Sequence, residues 1–328
     1  MDNPSFSILV PHLGDMTYLI KCVDSLTNQS SNFSDVEILI CDQSEEDVFK
    51  NNDNVLRSFK TDISINHFYY PVQNLYLARQ ALLEKAKKDY CVFVDSDDFL
   101  SKDFISLVSG EIQKNNYPDI LVINLTKTNE KGEPFKKQNK YPRFISKHIN
   151  DYFCCTNILN SACKKIFKRQ LYKRNEFLSK QITLGEDYFF SKPLMENAQK
   201  IVFFSQQPNL YFYRQHESSI IHDFCLNDGI EILKLIFDKA PELPNSFQKK
   251  LLSKSVIANF VSIISVLKKK KDMSKNDFDE IEVFCKRHLL IKKIKVFTFF
   301  LPIKYWFVLI CILLGWKRLL LELFKIKN

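Results

Sequence analysis

Short apolar runs alternate with helix-spaced patterns along the first part of the chain. The runs are rich in β-branched and aromatic residues, as strands are, and they lie at 6–10, 36–41, 63–70, 90–94 and 119–124. Between them, apolar residues recur at helical spacing over 16–29, 75–89 and 102–116. Because strand and helix alternate, the pattern predicts an α/β fold with a mostly parallel sheet flanked by helices.

The pattern changes in the second half of the chain. A helix and two strands are predicted at 185–199, 200–205 and 210–214. After about Leu226 the spacing is helical, with helices predicted at 246–267 and 275–290. We therefore expect three parts: an α/β domain over 1–225, a helical extension over 226–285, and a basic, apolar tail over 286–328.

The tail accounts for the charge of the protein. Residues 286–328 contain ten Lys or Arg and one acid, which is the whole net charge of +9. The preceding residues are balanced, so the sequence does not predict nucleic-acid binding. The apolar stretch 296–316 is interrupted by Pro302 and Lys304, which leaves a run shorter than the ~20 residues that span a bilayer. Its aromatic and basic residues favour binding to an anionic membrane surface. The alternatives are a true span and a buried C-terminal helix or oligomer contact.

The N-terminal sequence and the cysteines indicate a cytoplasmic protein. The first residues have neither the basic nor the long apolar region of a signal peptide. The nine cysteines are scattered, and reduced thiols are expected rather than disulfides or a zinc site. Together with the tail, these features predict a protein that is peripheral on the cytoplasmic face of the membrane.

One predicted strand runs directly into a cluster of carboxylates. In the sequence YCVFVDSDDFL, the apolar run is followed by Asp95, Asp97 and Asp98. Parallel sheets place their sites at the carboxyl ends of strands, and Asp42 follows a strand at the same edge. Two such carboxylates can hold a hard cation such as Mg²⁺ or Mn²⁺. From the residues alone, a solvated acidic turn in which Asp98 or Ser101 caps the next helix fits equally well.

Residues 74–100 resemble the stretch that leads to the metal site in family 2 glycosyltransferases, which have the Rossmann-like GT-A fold. Ala78 and Arg79 match the family's Ala-Arg-Asn, and the acidic cluster matches its Asp-x-Asp-Asp. Further blocks resemble the family in the same order at 7–29, 36–47, 161–169 and 184–220. Within them, Pro11, Asp42 and Lys165 are kept, whereas Leu13, Gly14, Gln43 and Cys163 depart from the family pattern.

The resemblance implies a nucleotide-sugar donor, a divalent cation, Mn²⁺ or Mg²⁺, and inverting transfer to an acceptor hydroxyl. Asp97 is expected to bind the metal, and Asp95 to bind the metal or the ribose. His222 could complete the metal's ligands, although a lone histidine is more often structural. Contacts with the donor are expected from Pro11, Asp42, Arg79, Asp95, Ser96 and Arg214.

By the same resemblance, Asp187, next to Glu186, is the catalytic base. It falls near a predicted helix start, where the helix dipole favours the carboxylate that a base requires. Without the resemblance, an acidic first helical turn would explain Asp187 as well. A salt bridge on a helix face would likewise explain Arg79, and His216 could contact the diphosphate or the acceptor.

The sequence therefore predicts a hexosyltransferase-type enzyme that extends a bacterial surface glycan, such as a capsular polysaccharide or lipooligosaccharide. Its partners would be a nucleotide-sugar donor, most simply a UDP-sugar, a glycan or lipid-linked glycan acceptor, and an anionic membrane. A non-catalytic nucleotide-sugar or glycan-binding scaffold is the alternative. The departures at Leu13, Gly14 and Gln43 favour the scaffold, whereas Asp95, Asp97 and Asp187 favour the enzyme.

Overall fold

The computed structural model describes residues 3–14, 16–30, 35–135, 145–146, 161–172, 186–204 and 209–216, together with positions 276, 278–280, 283, 318–319 and 322. The chain divides into two compact units. The first unit, residues 1–149, 157–181 and 186–217, contains every strand and helix numbered below.

Four parallel strands form one half of an eight-stranded sheet. They are β1 (Phe6–His12), β2 (Val36–Asp42), β3 (Ser64–Tyr69) and β4 (Tyr90–Phe93), in the order β3-β2-β1-β4. The helices that connect them are α1 (Met16–Thr27), α2 (Glu46–Leu56) and α3 (Leu75–Lys85). Every residue of β1, β2 and β4 is buried, as in parallel strands covered on both faces. The predicted α/β alternation is confirmed.

The other half of the sheet is mixed. β9 (Lys165–Lys168) lies antiparallel between β4 and β6 (Ile120–Ile123). β10 (Ile201–Phe204) runs parallel to β6, with β8 (Ile145–Ser146) antiparallel at the edge. A smaller sheet contains β5 (Phe99–Leu100), β7 (Leu125–Thr128) and, between them, β11 (Tyr211–Arg214). Two further helices, α4 (Phe104–Lys114) and α5 (Glu186–Asn197), precede β6 and β10.

Two helices differ from the sequence prediction. α2 was not predicted, because its sequence EDVFKNNDNVL is mostly polar. The helix predicted over 75–89 ends at Lys85 instead. Beyond it, the backbone N–H groups of Lys87 and Lys88 donate to Glu37 at 2.7 Å and Ser7 at 3.1 Å. These bonds attach the end of α3 to β1 and β2 and stop the helix early.

The remaining predictions fall largely outside the described residues. These include the helix over 246–267 and most of the tail. The described positions within 275–290, which are 276, 278–280 and 283, are helical, as are 318–319 and 322. No helix in the described part of the chain is long and apolar enough to cross a membrane. The boundaries at 225 and 285 and the membrane-surface role of the tail stay predictions.

Candidate active site

β4 carries the acidic cluster to the carboxyl edge of the sheet. The chain stays paired with β1 up to Val94, whose N–H donates to Leu9 O at 2.9 Å. A turn follows, closed by the Asp98 N–H donating to Asp95 O at 2.9 Å. The side chains of Asp95 and Asp97 are 30% and 33% exposed. Two neighbouring carboxylates are therefore presented to solvent at the end of β4.

Asp98 has a different environment from the other two acids. It is fully buried, and it accepts hydrogen bonds from the Tyr211 hydroxyl at 2.7 Å and from Arg214 N at 2.8 Å. Burial raises the pKa of Asp98 well above its ordinary value, and the nearby carboxylates of Asp97 and Asp95 raise it further. Asp98 therefore fastens the turn to β11 and does not cap the following helix, which was the alternative for this residue.

Arg79 joins the acidic turn to the candidate base. Its guanidinium lies on α3, is almost fully buried, and sits 5.6 Å from the centre of the Phe93 ring. It donates through Nη1 to Asp187 at 2.5 Å and through Nη2 to Asp95 at 3.3 Å. Arg79 is thus not part of a salt bridge on an exposed helix face, because its charge is shared between two acids of the site.

Asp95 is held on both of its oxygens. One accepts from Arg79, and the other accepts from the Cys163 thiol at 3.1 Å. Burial raises the pKa of Asp95 above its ordinary value, and the attraction of Arg79 is partly cancelled by the negative charges of Asp97 and Asp187. A cation bound here would relieve this repulsion, as opposite charges favour ionised carboxylates.

Asp187 is the second residue of α5, and its side chain is 25% exposed. At this position the positive end of the helix dipole favours a negatively charged side chain. Glu186 begins the same helix, and its side chain lies outside the described part of the structure. Asp95 and Asp187 contact opposite amino groups of Arg79. The structure therefore brings the predicted metal side and the predicted base into one site.

Asp42 is fully buried at the end of β2. One of its oxygens accepts from Ser44 N at 2.9 Å, and the other accepts from Asn52 at 2.9 Å and contacts His67 Nε2 at 3.0 Å. Burial alone would raise the pKa of Asp42, but these hydrogen bonds outweigh it and lower the pKa to about 2. His67 also contacts Asp53 at 3.1 Å. Neither Asn52 nor His67 was found from the sequence, because nothing local marks them as neighbours of Asp42.

Gln43 and Gly14, which depart from the family pattern, both close loops at this edge. The Gln43 amide donates to Val72 O and to Asn74 O, the latter at 3.0 Å. Gly14 has a φ of +108°, where side chains are strained, and its N–H donates to the Ser44 hydroxyl at 2.8 Å. These two residues therefore connect the loops that follow β1, β2 and β3.

Arg214 and His216 close the site from β11. The Arg214 guanidinium lies 5.1 Å from the Tyr18 ring and 5.2 Å from the Phe99 ring, and it donates to Glu130 O at 3.1 Å. The His216 ring is stacked on Tyr18 at 4.7 Å, and its Nε2 contacts Asp97 at 2.7 Å. The imidazole that contacts Asp97 is therefore that of His216, whereas the sequence predicted His222 at the metal.

The other predicted residues are distributed as follows. Pro11 is buried in β1 opposite Cys41, and Ser96 is half-buried in the acidic turn. His222, the histidine predicted to bind the metal, lies outside the described residues. The structure therefore gathers Asp95, Asp97, Arg79 and Asp187 directly, with Ser96 in the same turn, while Asp42 and Arg214 support neighbouring loops.

Comparison with known proteins identifies relatives of this fold and site. The family described as Glycosyl transferase family 2 matches residues 7–175. Poly(ribitol-phosphate) beta-N-acetylglucosaminyltransferase TarS of Staphylococcus aureus is 21% identical over 78% of this chain and 44% of its own length. Glycosyltransferase GlyA of Streptococcus pneumoniae is 24% identical over 66% of this chain and 32% of its own length. This chain therefore spans less than half the length of either curated relative.

Solved structures with the same fold include S. aureus TarS 1–349 in complex with UDP, with a TM-score of 0.62 and 17% identity over 89% of this chain and 87% of that one. The complex of TarS 1–349 with UDP-GlcNAc has a TM-score of 0.60 and 16% identity over the same shares of the two chains. At this level of identity the likeness shows the fold. It confirms the predicted mostly parallel α/β sheet flanked by helices.

Proposed function

Since the chain belongs to glycosyl transferase family 2, we propose that it is a metal-dependent, inverting glycosyltransferase. It would move a sugar from a UDP-sugar to a hydroxyl group of a surface glycan. The observation that carries the proposal is the pairing of Arg79 with both Asp95 and Asp187. It brings together a candidate metal side and a candidate base, which a protein that only binds nucleotide sugars does not require.

A UDP-sugar is supported as donor by the position of the acidic turn. Nucleotides bind outside the carboxyl ends of the strands in sheets of this kind. A diphosphate would lie beside Asp95 and Asp97, the two partly exposed carboxylates there. The solved relatives with UDP and UDP-GlcNAc add to this support.

The residues present fit Mn²⁺ or Mg²⁺. Within the described residues, no group of three or more His, Cys, Asp or Glu is arranged to hold a metal ion. Such ions often use one or two carboxylates together with substrate phosphates, so Asp97 and Asp95 would hold the ion, and His216 would orient Asp97 through their contact. When bound, it would neutralise the charge that develops on the leaving diphosphate.

Asp187 would act as the general base. The acceptor hydroxyl forms a bond to the anomeric carbon, and the bond from that carbon to the diphosphate breaks, so that UDP leaves with the bonding electrons. The proton of the hydroxyl passes to the Asp187 carboxylate. Arg79 would hold Asp187 in the orientation that this transfer needs.

The acceptor is proposed to be a cell-surface glycan or polyol-phosphate polymer. The TarS relative is named as a poly(ribitol-phosphate) beta-N-acetylglucosaminyltransferase, and the basic, apolar tail supports an acceptor at a membrane surface. The tail, residues 286–328, would keep the enzyme at an anionic membrane surface. Deletion of the tail should release the protein from membranes while UDP release from the donor persists, and a truncated protein that still sediments with membranes would contradict the anchor.

The proposed activity is tested by UDP release from UDP-GlcNAc, UDP-glucose and UDP-galactose, with Mn²⁺, with Mg²⁺ and with EDTA. We expect metal-dependent release with at least one donor and a loss of at least ~100-fold in Asp187→Asn, the range of general-base catalysis. Full activity in the variant would contradict the assigned base. Metal-dependent UDP binding without turnover of any donor would favour the non-catalytic scaffold.

A further inference from the structure

Lys165, the first residue of β9, is completely buried. Its ammonium group donates to Ser161 O at 2.5 Å and to the Ser191 hydroxyl at 2.9 Å. Burial lowers the pKa of Lys165 to about 7, although the negative charge of Asp187 acts in the opposite direction. A buried ammonium is costly to desolvate, and nothing in the proposed reaction uses it directly.

The contact with Ser191 connects Lys165 to the candidate base. Ser191 and Asp187 are four residues apart on α5, so they lie on the same face of the helix, one turn from each other. Asp187 is also the strongest of the charged groups that act on Lys165. The other groups that face the ammonium electrostatically are Lys164, Cys163 and Arg79.

Lys165 also lies on a strand that is paired on both sides next to the site. β9 is paired on one side with β4, which ends in the acidic turn, and on the other side with β6. Two residues before Lys165, the Cys163 thiol donates to Asp95 at 3.1 Å. Residues 163–165 therefore contact the metal side of the site through Cys163 and the helix of the base through Lys165.

We propose that Lys165 is a positioning residue for Asp187: through its contact with Ser191 it fixes the first turns of α5, which carry the base. This inference rests on the proposed function, because it assigns Lys165 to the reaction in which Asp187 accepts a proton. It separates Lys165 from the residues proposed to bind the donor, since its ammonium group donates to Ser161 O and to Ser191 on the helix of the base.

The test compares Lys165→Met with Lys168→Met. Lys168 is a matched control on the same strand. Its ammonium pairs with Asp119 at 3.0 Å, and Asp119 accepts from Gln199 N, beyond the end of α5 opposite to Asp187. Turnover is measured as UDP release from UDP-GlcNAc with Mn²⁺, or from whichever donor of the panel the wild type uses. UDP binding is measured by calorimetry, and all assays are run well below the unfolding temperature of the least stable variant.

We expect Lys165→Met to lower kcat about 10- to 100-fold, as misplacement of a catalytic group does, while the KM for the donor and the Kd for UDP stay within about twofold. Lys168→Met should keep the wild-type kcat even where it lowers the unfolding temperature.

Ser191→Ala supplies a milder variant if Lys165→Met does not fold. Since it acts through the same contact, it should lower kcat about three- to tenfold, and its effect should not add to that of Lys165→Met. Wild-type kcat in Ser191→Ala and Lys165→Met, or a loss of UDP binding in step with kcat, would overturn the positioning role. A wild-type protein that releases no UDP from any donor would instead overturn the proposed function, and the inference with it.

Discussion

Arg79 and Asp187 are joined by a hydrogen bond of 2.5 Å between Nη1 and Oδ1, although 108 residues separate them in the chain. The guanidinium is only 1% exposed, and its second amino group reaches Asp95. One buried cation therefore holds a carboxylate from each side of the site. The positive charge of Arg79 thereby opposes the repulsion between Asp95 and Asp187.

Replacement of Arg79 should therefore reduce both stability and activity. In Arg79→Met we expect the free energy of unfolding to fall by about 3 kcal/mol, since removal of one partner leaves partly buried charges uncompensated. UDP release should fall at least ~100-fold, because the base is no longer oriented. Arg79→Lys keeps a positive charge but cannot contact both carboxylates in the same way. Its stability and its UDP release should therefore lie between those of the wild type and Arg79→Met. Urea unfolding and the UDP-release assay measure these effects, and wild-type behaviour of Arg79→Met would refute the bridging role.

The two acids that follow Asp95 should separate into a functional and a structural residue. Asp97→Asn should lose most metal-dependent UDP release and change stability little, because the Asp97 side chain is 33% exposed. Asp98→Ala should lower the free energy of unfolding by about 2 kcal/mol, because it leaves the buried Tyr211 hydroxyl and Arg214 N–H without their acceptor. The concentration of Mn²⁺ for half-maximal activity should not change in Asp98→Ala. A raised Mn²⁺ requirement in Asp98→Ala, with full metal-dependent UDP release in Asp97→Asn, would instead show that Asp98 holds the metal.

The fold of the first half was predictable because its signals are local. Buried parallel strands are continuous apolar runs, and those ending at Asp42 and before Asp95 were found within two residues. β9 could not be found in this way. Its sequence KIFK is short and polar at both ends, and it becomes a strand only because β4 and β6 supply partners on both sides.

The same limit applies to the site. A strand followed by acids predicts a site at the sheet edge, and the resemblance supplied Arg79 and Asp187. The contact of His216 with Asp97 joins residues 119 positions apart, and that of His67 with Asp42 crosses from one strand to the next. Such contacts depend on how the loops pack. No spacing along the chain encodes them.

Asp42 should make the protein sensitive to acid in a defined pH range. Its pKa of about 2 in the folded protein lies below the ordinary value of about 4. The stabilisation it gives is therefore complete above about pH 4 and is lost as the pH falls through 2. Between pH 4 and pH 2, the free energy of unfolding measured in urea should fall by about 1–2 kcal/mol less in Asp42→Asn than in the wild type. Asp47→Asn is the matched control, because the side chain of Asp47 is 100% exposed.

Removal of His216 should weaken the binding of the metal ion. Its Nε2 contacts Asp97, and its ring is held by stacking on Tyr18. In His216→Ala we expect the concentration of Mn²⁺ for half-maximal UDP release to rise about 10- to 100-fold, the effect of losing a group that binds or orients a metal ligand. Tyr18→Phe keeps the stacking but loses the hydroxyl that donates to Glu130, so it should need no more Mn²⁺ than the wild type. An unchanged Mn²⁺ requirement in His216→Ala would contradict this role. It would leave Asp97 and Asp95 as the metal-binding side chains at this edge, with His222 as the remaining predicted histidine ligand.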